Sequence, residues 1–189
     1  SSTGWTLTTT GGGVANINST VAGALVLQTP VRGGTASCSR SASVAGGDQA
    51  IEHAIRLVVS AGVARFRLGS TSGGQEILAE SEFGVGTHSL AFTPNVGTIY
   101  AQISAKSETI VIVDSITIEA AGILELATGW TDDDLLSVRY DQSGDVIFLA
   151  DGTHQPQRIV RRGTPRSWGI EDYNFGNGPW KGKTANVSL

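Results

Sequence analysis

Residues suited to acid–base or nucleophilic chemistry are few and scattered in this chain of 189 residues. Of its three histidines, His53 lies in an alternating apolar stretch, His88 opens another such stretch and His154 follows a turn-forming sequence. A nucleophile–histidine–acid triad needs a serine or cysteine in a strained turn beside a histidine. The sequence has neither a Gly-x-Ser-x-Gly elbow nor a phosphate-binding loop. We therefore expect a protein that is not an enzyme.

Two groups of carboxylates were considered as reactive or metal-binding sites. Glu76, Glu80 and Glu82 lie close together beside Phe83, and a glycosidase needs two such groups facing a cleft. A solvated loop is the favoured interpretation of these glutamates, with the cleft pair left open. The run 132–134 is three aspartates, for which a turn cap or a contact with arginines of a neighbour is favoured over a metal site.

The composition excludes several classes of protein. A net charge of −4 gives no broad basic surface for nucleic acid, and no apolar run is long enough to span a bilayer. The single cysteine, Cys38, excludes an internal disulfide and is expected to be a small buried strand residue. Because the sequence holds no methionine, we expect a processed chain or a fragment of a longer protein.

Short runs of β-branched residues separated by Gly, Ser, Asn or Pro predict that strands position all of these side chains. In the first two thirds of the chain the predicted strands are Trp5–Thr9, Val14–Asn18, Ala24–Thr29, Ala36–Val44, His53–Val59, Ala64–Gly69, Glu76–Ala79, His88–Thr93, Ile99–Ser104 and Thr109–Glu119. About ten short strands at this spacing predict an antiparallel sandwich of jelly-roll type.

Beyond residue 122 the pattern predicts a different unit. Strands over Leu135–Tyr140, Asp145–Ala150 and Gln157–Arg161, joined by tight polar turns, predict a three-stranded meander like one propeller blade. The remainder is rich in Gly, Pro and aromatic residues and predicts an extended, irregular arm. We therefore predict an all-β fold, with a jelly-roll β-sandwich at 1–122 and a small β meander with an extended C-terminal arm at 123–189.

One strand departs from its own alternation. Ile110, Ile112, Ile116 and Ile118 share a face of the last sandwich strand, and Asp114 interrupts that face. A period of two with one apolar face is typical of a half-buried strand, so the aspartate marks either a special site or an irregularity.

Residues 1–122 resemble a known class of module. The opening Gly4-Trp5, the run 86–94 (Gly-Thr-His-Ser-Leu-Ala-Phe-Thr-Pro) and the closing Val113-Asp114-Ser115-Ile116 resemble the jelly-roll modules called carbohydrate-binding-like or galactose-binding-like. The usual acidic, aromatic opening before Gly4 is missing here.

That resemblance implies two kinds of site. Such modules often carry a structural Ca²⁺ held partly by an Asp of the closing strand, which implies Asp114 here. The alternative for Asp114 is a residue at a bulge near the sheet edge, bonded to backbone. Such modules bind sugars through exposed aromatic and amide side chains, which leaves Trp5, Tyr100 and Gln102 as candidates, with core packing as the alternative. No other cofactor is implied.

Residues 130–180 resemble a segment that recurs in tail proteins of tailed bacteriophages. The similarity lies in Thr131–Leu136, Tyr140–Val146, Pro156, the pair Arg161-Arg162 and Trp168, while Ala150-Asp151 replaces a His-Pro pair. The resemblance implies a structural role in the virion, in a tail tube, hub or nozzle, and no enzymatic activity. It implies other tail proteins as partners and a homo-oligomer arranged in a ring.

The C-terminal part has the composition of a protein interface, in which aromatic residues and arginine are enriched. The residues expected to contact protein partners are Arg158, Arg161, Arg162, Arg166, Trp168, Tyr173, Phe175 and Trp180.

Taken together, the sequence predicts a non-enzymatic structural protein of a phage tail, located in the virion, whose jelly roll contacts host-surface glycan. It predicts no membrane and no nucleic-acid partner. The alternative is a carbohydrate-binding module cut from a secreted glycan-active enzyme.

Overall fold

The computed structural model describes residues 4–18, 23–106, 108–120, 124–162 and 164–173. In this part of the chain one short 3₁₀ turn, Gly46–Asp48, accompanies the strands. The strands are β1 (Thr6–Thr10), β2 (Val14–Asn18), β3 (Ala24–Gln28), β4 (Thr35–Ser43), β5 (His53–Ala61), β6 (Ala64–Gly69), β7 (Leu78–Phe83), β8 (Gly86–Phe92), β9 (Thr98–Ala105), β10 (Ile110–Glu119), β11 (Arg139–Ser143), β12 (Val146–Ala150), β13 (Gln157–Arg161) and β14 (Trp168–Asp172).

These strands form two antiparallel sheets. The five-stranded sheet has the order β1-β4-β9-β6-β7, and the nine-stranded sheet has the order β11-β12-β13-β14-β8-β5-β10-β3-β2. The inner faces of the two sheets share one hydrophobic core, so the predicted all-β sandwich is confirmed. No helix of the described residues is long and apolar enough to cross a membrane.

The core follows the alternation of the central strands. Ile55 and Leu57 of β5 and Phe66 and Leu68 of β6 have almost no exposed surface. Burying one such side chain contributes about 1.5–3 kcal/mol, so these central strands hold the sheets together. Cys38 lies in the same core, as predicted, and its burial raises the pKa of the thiol to about 12.

His53 is a packed residue, as its place in an apolar stretch indicates. Its ring is buried against Phe92, and its two nitrogens lie 3.2 and 3.1 Å from the carbonyl oxygens of Glu119 and Asp48. A ring N–H can donate to either carbonyl oxygen, and these backbone contacts hold the ring in a structural position.

The face predicted for β10 is wrong in its first half. Val111 and Val113 are buried in the core, whereas Ile110 is exposed. The ladder with β5 is irregular around Asp114, and beyond it Ile116 packs against the core. A bulge inserts one residue and so exchanges the two faces of a strand, and this places Asp114 outside the core.

The small meander has four strands, not three. The predicted strand Leu135–Tyr140 is wrong at both ends, because consecutive turns occupy residues 132–137 and β11 is Arg139–Ser143. Asp134 accepts hydrogen bonds from the Thr131 amide and hydroxyl, at 2.7 and 2.8 Å, and so closes the first turn. A local cap of this kind overrides the strand propensity of the residues that follow.

The segment after residue 162, for which the sequence predicts no regular structure, contains the strand β14. The predicted irregular arm, at 173–183, lies outside the described residues except for Tyr173. Strand β14 pairs antiparallel with β13 on one side and with β8 on the other, so the meander extends the sandwich sheet. The sequence did not predict β14 as a strand because Gly169 lies within it. A Cβ there would lie 2.5 Å from Nδ1 of His88, so the close approach of these strands requires glycine. The division at residue 122 stays a prediction, although one sheet contains strands from both sides of it.

Candidate functional site

The outer face of the five-stranded sheet is polar across its whole width. Directly paired residues share a face of a sheet. The register places Thr6, Ser39, Gln102 and Arg67 in one row across β1, β4, β9 and β6. A second row places hydroxyl and charged side chains beside it, at Thr8, Ser37, Ser104, Arg65 and Glu82. Such rows of hydroxyl, amide and guanidinium groups can hydrogen-bond a polar, hydroxyl-rich ligand.

The structure brings Tyr100 and Gln102 together on this face. Both are half-buried residues of β9, two positions apart, and Tyr100 lies opposite Ser41 and Gly69. The residue paired with Tyr100 on β6, Gly69, has no side chain. A Cβ at Gly69 would lie 2.4–2.7 Å from Gly74, because the loop after β6 turns back over it.

Arg67 connects Gln102 to the charged side of the face. Its guanidinium donates to Oε1 of Gln102 at 2.9 and 3.3 Å and lies 3.7 Å from the carboxylate of Glu80. Glu80 and Glu82 are residues of β7, which is shifted from the predicted Glu76–Ala79, and Glu82 pairs with Arg65 at 3.2 Å. Both carboxylates are exposed, as predicted, but they lie in a strand with arginine partners and not in a loop.

The loop beside Tyr100 is closed by Glu76. Its carboxylate accepts short hydrogen bonds from the amide and the hydroxyl of Ser70. These bonds favour the ionised form and lower the pKa of Glu76 to about 2. The loop that borders the candidate face is thus held by an ionised carboxylate at neutral pH.

Trp5 does not join Tyr100 and Gln102. It is half-buried between the two sheets and packs against the core. There it lines an opening of about 280 Å³, with Arg40 and Ala101 on one sheet and Ile116 and Ile118 on the other. Its place as a glycan-binding residue stays a prediction.

The structure brings Trp5 near Asp114 instead. Both line a small opening of about 30 Å³ between the sheets, and Asp114 is exposed. Its Oδ1 accepts a hydrogen bond from the hydroxyl of Ser60 at 2.9 Å. The bulge expected as the alternative is present, but β10 lies inside the sheet between β5 and β3, and Asp114 is bonded to a side chain, that of Ser60. Calcium binding at Asp114 stays a prediction.

The arginines expected at a protein interface all have partners within the chain. Arg158 and Arg162 both contact Glu171, Arg161 contacts Asp145 at 2.6 Å, and Arg166 contacts Glu52 at 2.6 Å. That these arginines also contact a partner protein stays a prediction. Each of them forms an ion pair within the chain.

The aromatic residues of the same group differ in position. Trp168 begins β14, and the ring of Tyr173 packs edge-on against Phe148 with centroids 5.2 Å apart. Phe175 and Trp180 lie outside the described residues.

A buried charge cluster stands where the meander joins the sandwich, and the sequence analysis did not foresee it. Glu171 is 6% exposed and accepts from Arg158 at 2.9 Å and from Arg162. His88 lies 4.0 Å from the same carboxylate, with its Nδ1 buried and without a hydrogen-bond partner among the described residues. Burial lowers the pKa of His88 to about 4. The hydrogen bond to the Gly84 carbonyl raises this pKa, and the charge of Arg162 lowers it further. The histidine is therefore neutral at pH 7, and the cluster serves as a structural junction.

The described residues contain one group of side chains that could hold a metal ion, and the sequence analysis did not single it out. The ligand atoms of Asp134, Asp151 and His154 lie within 4.8 Å of one another. Asp151 accepts from the amides of Thr153 and His154, and its Oδ2 lies 2.5 Å from Nδ1 of His154. These bonds depress the pKa of Asp151 and raise the pKa of His154. Turn closure accounts for the arrangement.

No protein-family model matches the chain, and no curated protein matches it. Among solved structures, the enzymatically active domain of tailspike protein 4 of bacteriophage CBA120 is similar, with 15% sequence identity and a TM-score of 0.44. The similarity covers 63% of this chain and 20% of that chain, so this chain spans a fifth of the tailspike domain.

Proposed function

We propose that this chain is a non-enzymatic structural component of a bacteriophage tail that contacts host-surface glycan. The observation that supports the glycan contact is that Tyr100 and Gln102 lie side by side on the outer face of the five-stranded sheet, two residues apart on β9. The aromatic ring offers a surface on which a sugar stacks, and the amide and hydroxyl groups beside it offer hydrogen bonds to sugar hydroxyls.

The meander supports the assembly half of the proposal. The similarity of residues 130–180 to a recurring segment of phage tail proteins falls on β11 to β14, a unit that continues the sandwich sheet. Strands β11 to β13 leave no apolar residue fully buried, so their faces are suited to contact other tail proteins. We propose the virion as the location and a ring of copies as the arrangement.

Glycan-array binding of the full chain tests the recognition half. We expect saturable binding that Tyr100→Ala weakens at least about tenfold, which corresponds to about 1.4 kcal/mol. Tyr140→Ala is the matched control, because Tyr140 is an exposed tyrosine on β11 of the other sheet, away from the candidate face. Running the array with calcium and with chelator tests the Asp114 site, since loss with chelator would support a calcium contribution. Absence of binding at every glycan would overturn glycan contact.

Three further measurements separate the tail role from the secreted-enzyme alternative. Mass spectrometry of purified virions is expected to find the chain, and the purified chain is expected to leave polysaccharides intact. Polysaccharide hydrolysis by the purified chain would favour a glycan-active enzyme. Electron microscopy of the isolated assembly is expected to reveal a ring, because tail parts are cyclic or sit on cyclic rings.

A further inference from the structure

Strand β11 forms one edge of the nine-stranded sheet and is unusually open. It pairs with β12 and with no other strand of the described chain, and all five of its residues are exposed. Tyr140, its second residue, is 78% exposed. An uncovered edge strand presents free backbone donors and acceptors to another strand.

The hairpin between β11 and β12 determines which groups point outward. Ser143 pairs with Val146, so the loop has two residues, and Gly144 at the first position has a φ of +58°. This matches a type II′ turn, whose flanking residues form a hydrogen-bonded pair. Hydrogen-bonded and non-hydrogen-bonded pairs alternate along an antiparallel ladder. The backbone N–H and C=O of Tyr140 therefore point away from β12, toward the free edge.

The sequence of this edge is complementary to itself. Arg139, Tyr140 and Asp141 follow one another in β11. When a second copy lies antiparallel and is centred on Tyr140, each Arg139 faces the Asp141 of the other copy. Opposite charges directly across a strand pair are favourable, and like charges are not. Centring the pair on Asp141 instead would place two aspartates against each other, and centring it on Gln142 would form no ion pair between the two β11 strands, so charge favours the register centred on Tyr140.

The flank of the edge adds apolar surface. Leu135 and Leu136 precede β11 and are 63% and 90% exposed. The Arg139 guanidinium donates to the Leu136 carbonyl at 3.1 Å, so it stays beside this edge in the single chain. Exposed apolar groups beside an open strand are typical of interaction surfaces.

We propose that β11 pairs antiparallel with β11 of a second copy of this chain, through backbone hydrogen bonds at Tyr140 and two Arg139–Asp141 ion pairs. The contact is two-fold symmetric and closes after two copies, so a ring of copies needs a further, different contact. The inference is independent of the proposed tail role, because it rests on the strand edge alone.

Sedimentation of the full chain over a concentration series reaching about 200 µM tests the pairing. The high concentrations are needed because a contact through one five-residue strand is expected to give a weak dimer. The wild-type chain is expected to dimerise. Asp141→Arg and Arg139→Asp each place like charges across the pair, and each is expected to weaken dimerisation about tenfold or more. The double variant R139D/D141R restores both ion pairs in the opposite sense and is expected to dimerise like wild type.

Mixing the two single variants gives the sharpest outcome. One presents two arginines and the other two aspartates, so each is expected to be monomeric alone and to form a heterodimer with the other. Far-UV circular dichroism verifies that both are folded. A monomeric wild-type chain at the highest concentration would overturn the proposal, as it would leave β11 to another protein. A dimer that neither single variant weakens would also overturn it.

Discussion

Ser60 and Asp114 are the two residues without a paired residue in the ladder between β5 and β10. The Ser60 hydroxyl donates a hydrogen bond to Oδ1 of Asp114 at 2.9 Å. Ile112 pairs with Ala61, Val113 with Val59 and Ser115 with Val58, so each strand carries one extra residue at the same place. Two compensating insertions return the strands to a common register while exchanging the faces of β10. The bond therefore links the two irregular positions of an otherwise continuous sheet.

The first prediction concerns this bond. Ser60→Ala and Asp114→Ala are each expected to lower the free energy of unfolding by about 0.5–1 kcal/mol, because each removes the same hydrogen bond. The double variant is expected to lose less than the sum, which urea denaturation measures as a coupling between the two positions. Ser43→Ala, at an exposed strand serine, is the control. Strictly additive losses would show that the two side chains act separately.

The second prediction concerns the junction between β14 and β8. Gly169→Ala is expected to destabilise the chain by about 1–3 kcal/mol, because its Cβ would lie 2.5 Å from Nδ1 of the buried His88. Gly129→Ala is the matched control, since a Cβ there meets no atom within 4 Å. Thermal unfolding of both variants measures the difference, and equal stability of the two would contradict the close packing.

The third prediction compares two ion pairs of the meander. Glu171→Gln is expected to cost about 3 kcal/mol, because it leaves the half-buried Arg158 and Arg162 without their carboxylate. Asp145→Asn removes the partner of Arg161 but is expected to cost about 1 kcal/mol or less, since Asp145 is 62% exposed. Chemical denaturation of the two variants measures both losses. A larger loss of unfolding free energy for Asp145→Asn than for Glu171→Gln would contradict the prediction that the buried carboxylate stabilises the chain more.

The fourth prediction concerns pH. The folded-state pKa of His88 lies near 4, below its ordinary value of 6.5, because the ring is buried. Between these values the unfolded chain binds a proton at His88 that the folded chain does not, so stability falls as pH drops from 6.5 toward 4. The full loss is on the order of 3 kcal/mol and levels off below pH 4.

The groups facing His88 all bear on this titration. They are the Glu171 carboxylate, the Arg162 guanidinium, the Gly84 carbonyl and the ring of Phe83. Denaturation between pH 4 and 7 measures the slope, and NMR titration of the histidine ring measures the pKa directly. A ring that titrates near 6.5 in the folded chain would refute the buried, neutral state.

Much of the fold was predictable because strand formation is encoded locally. Alternation and glycine-rich breaks predicted most sandwich strands to within one or two residues, as with His53–Val59 against the observed His53–Ala61. The same local logic predicted β12, as Asp145–Ala150 against the observed Val146–Ala150, and the buried Cys38. These features depend on neighbouring residues, whose preferences the sequence states directly.

The candidate site was predictable only in part. The sequence predicted that Tyr100 and Gln102 share one face of a strand, and they do, because residues two apart on a strand point to the same side. Trp5 was grouped with them, but the structure places it between the sheets. Alternation within one strand does not tell which face another strand turns toward the core, since that depends on how distant strands pair.

The sequence by itself determined that this protein is built of strands and where most of them begin and end, because period-two burial and turn chemistry are short-range. Only the tertiary structure decided the inward face of β10, the existence of β14 and the cluster around Glu171. Each of these depends on partners far apart in the chain: Ser60 opposite Asp114, His88 beneath Gly169, and Arg158 and Arg162 around Glu171. Contacts of this kind leave no periodic trace in sequence, since they arise only once the sheets have formed.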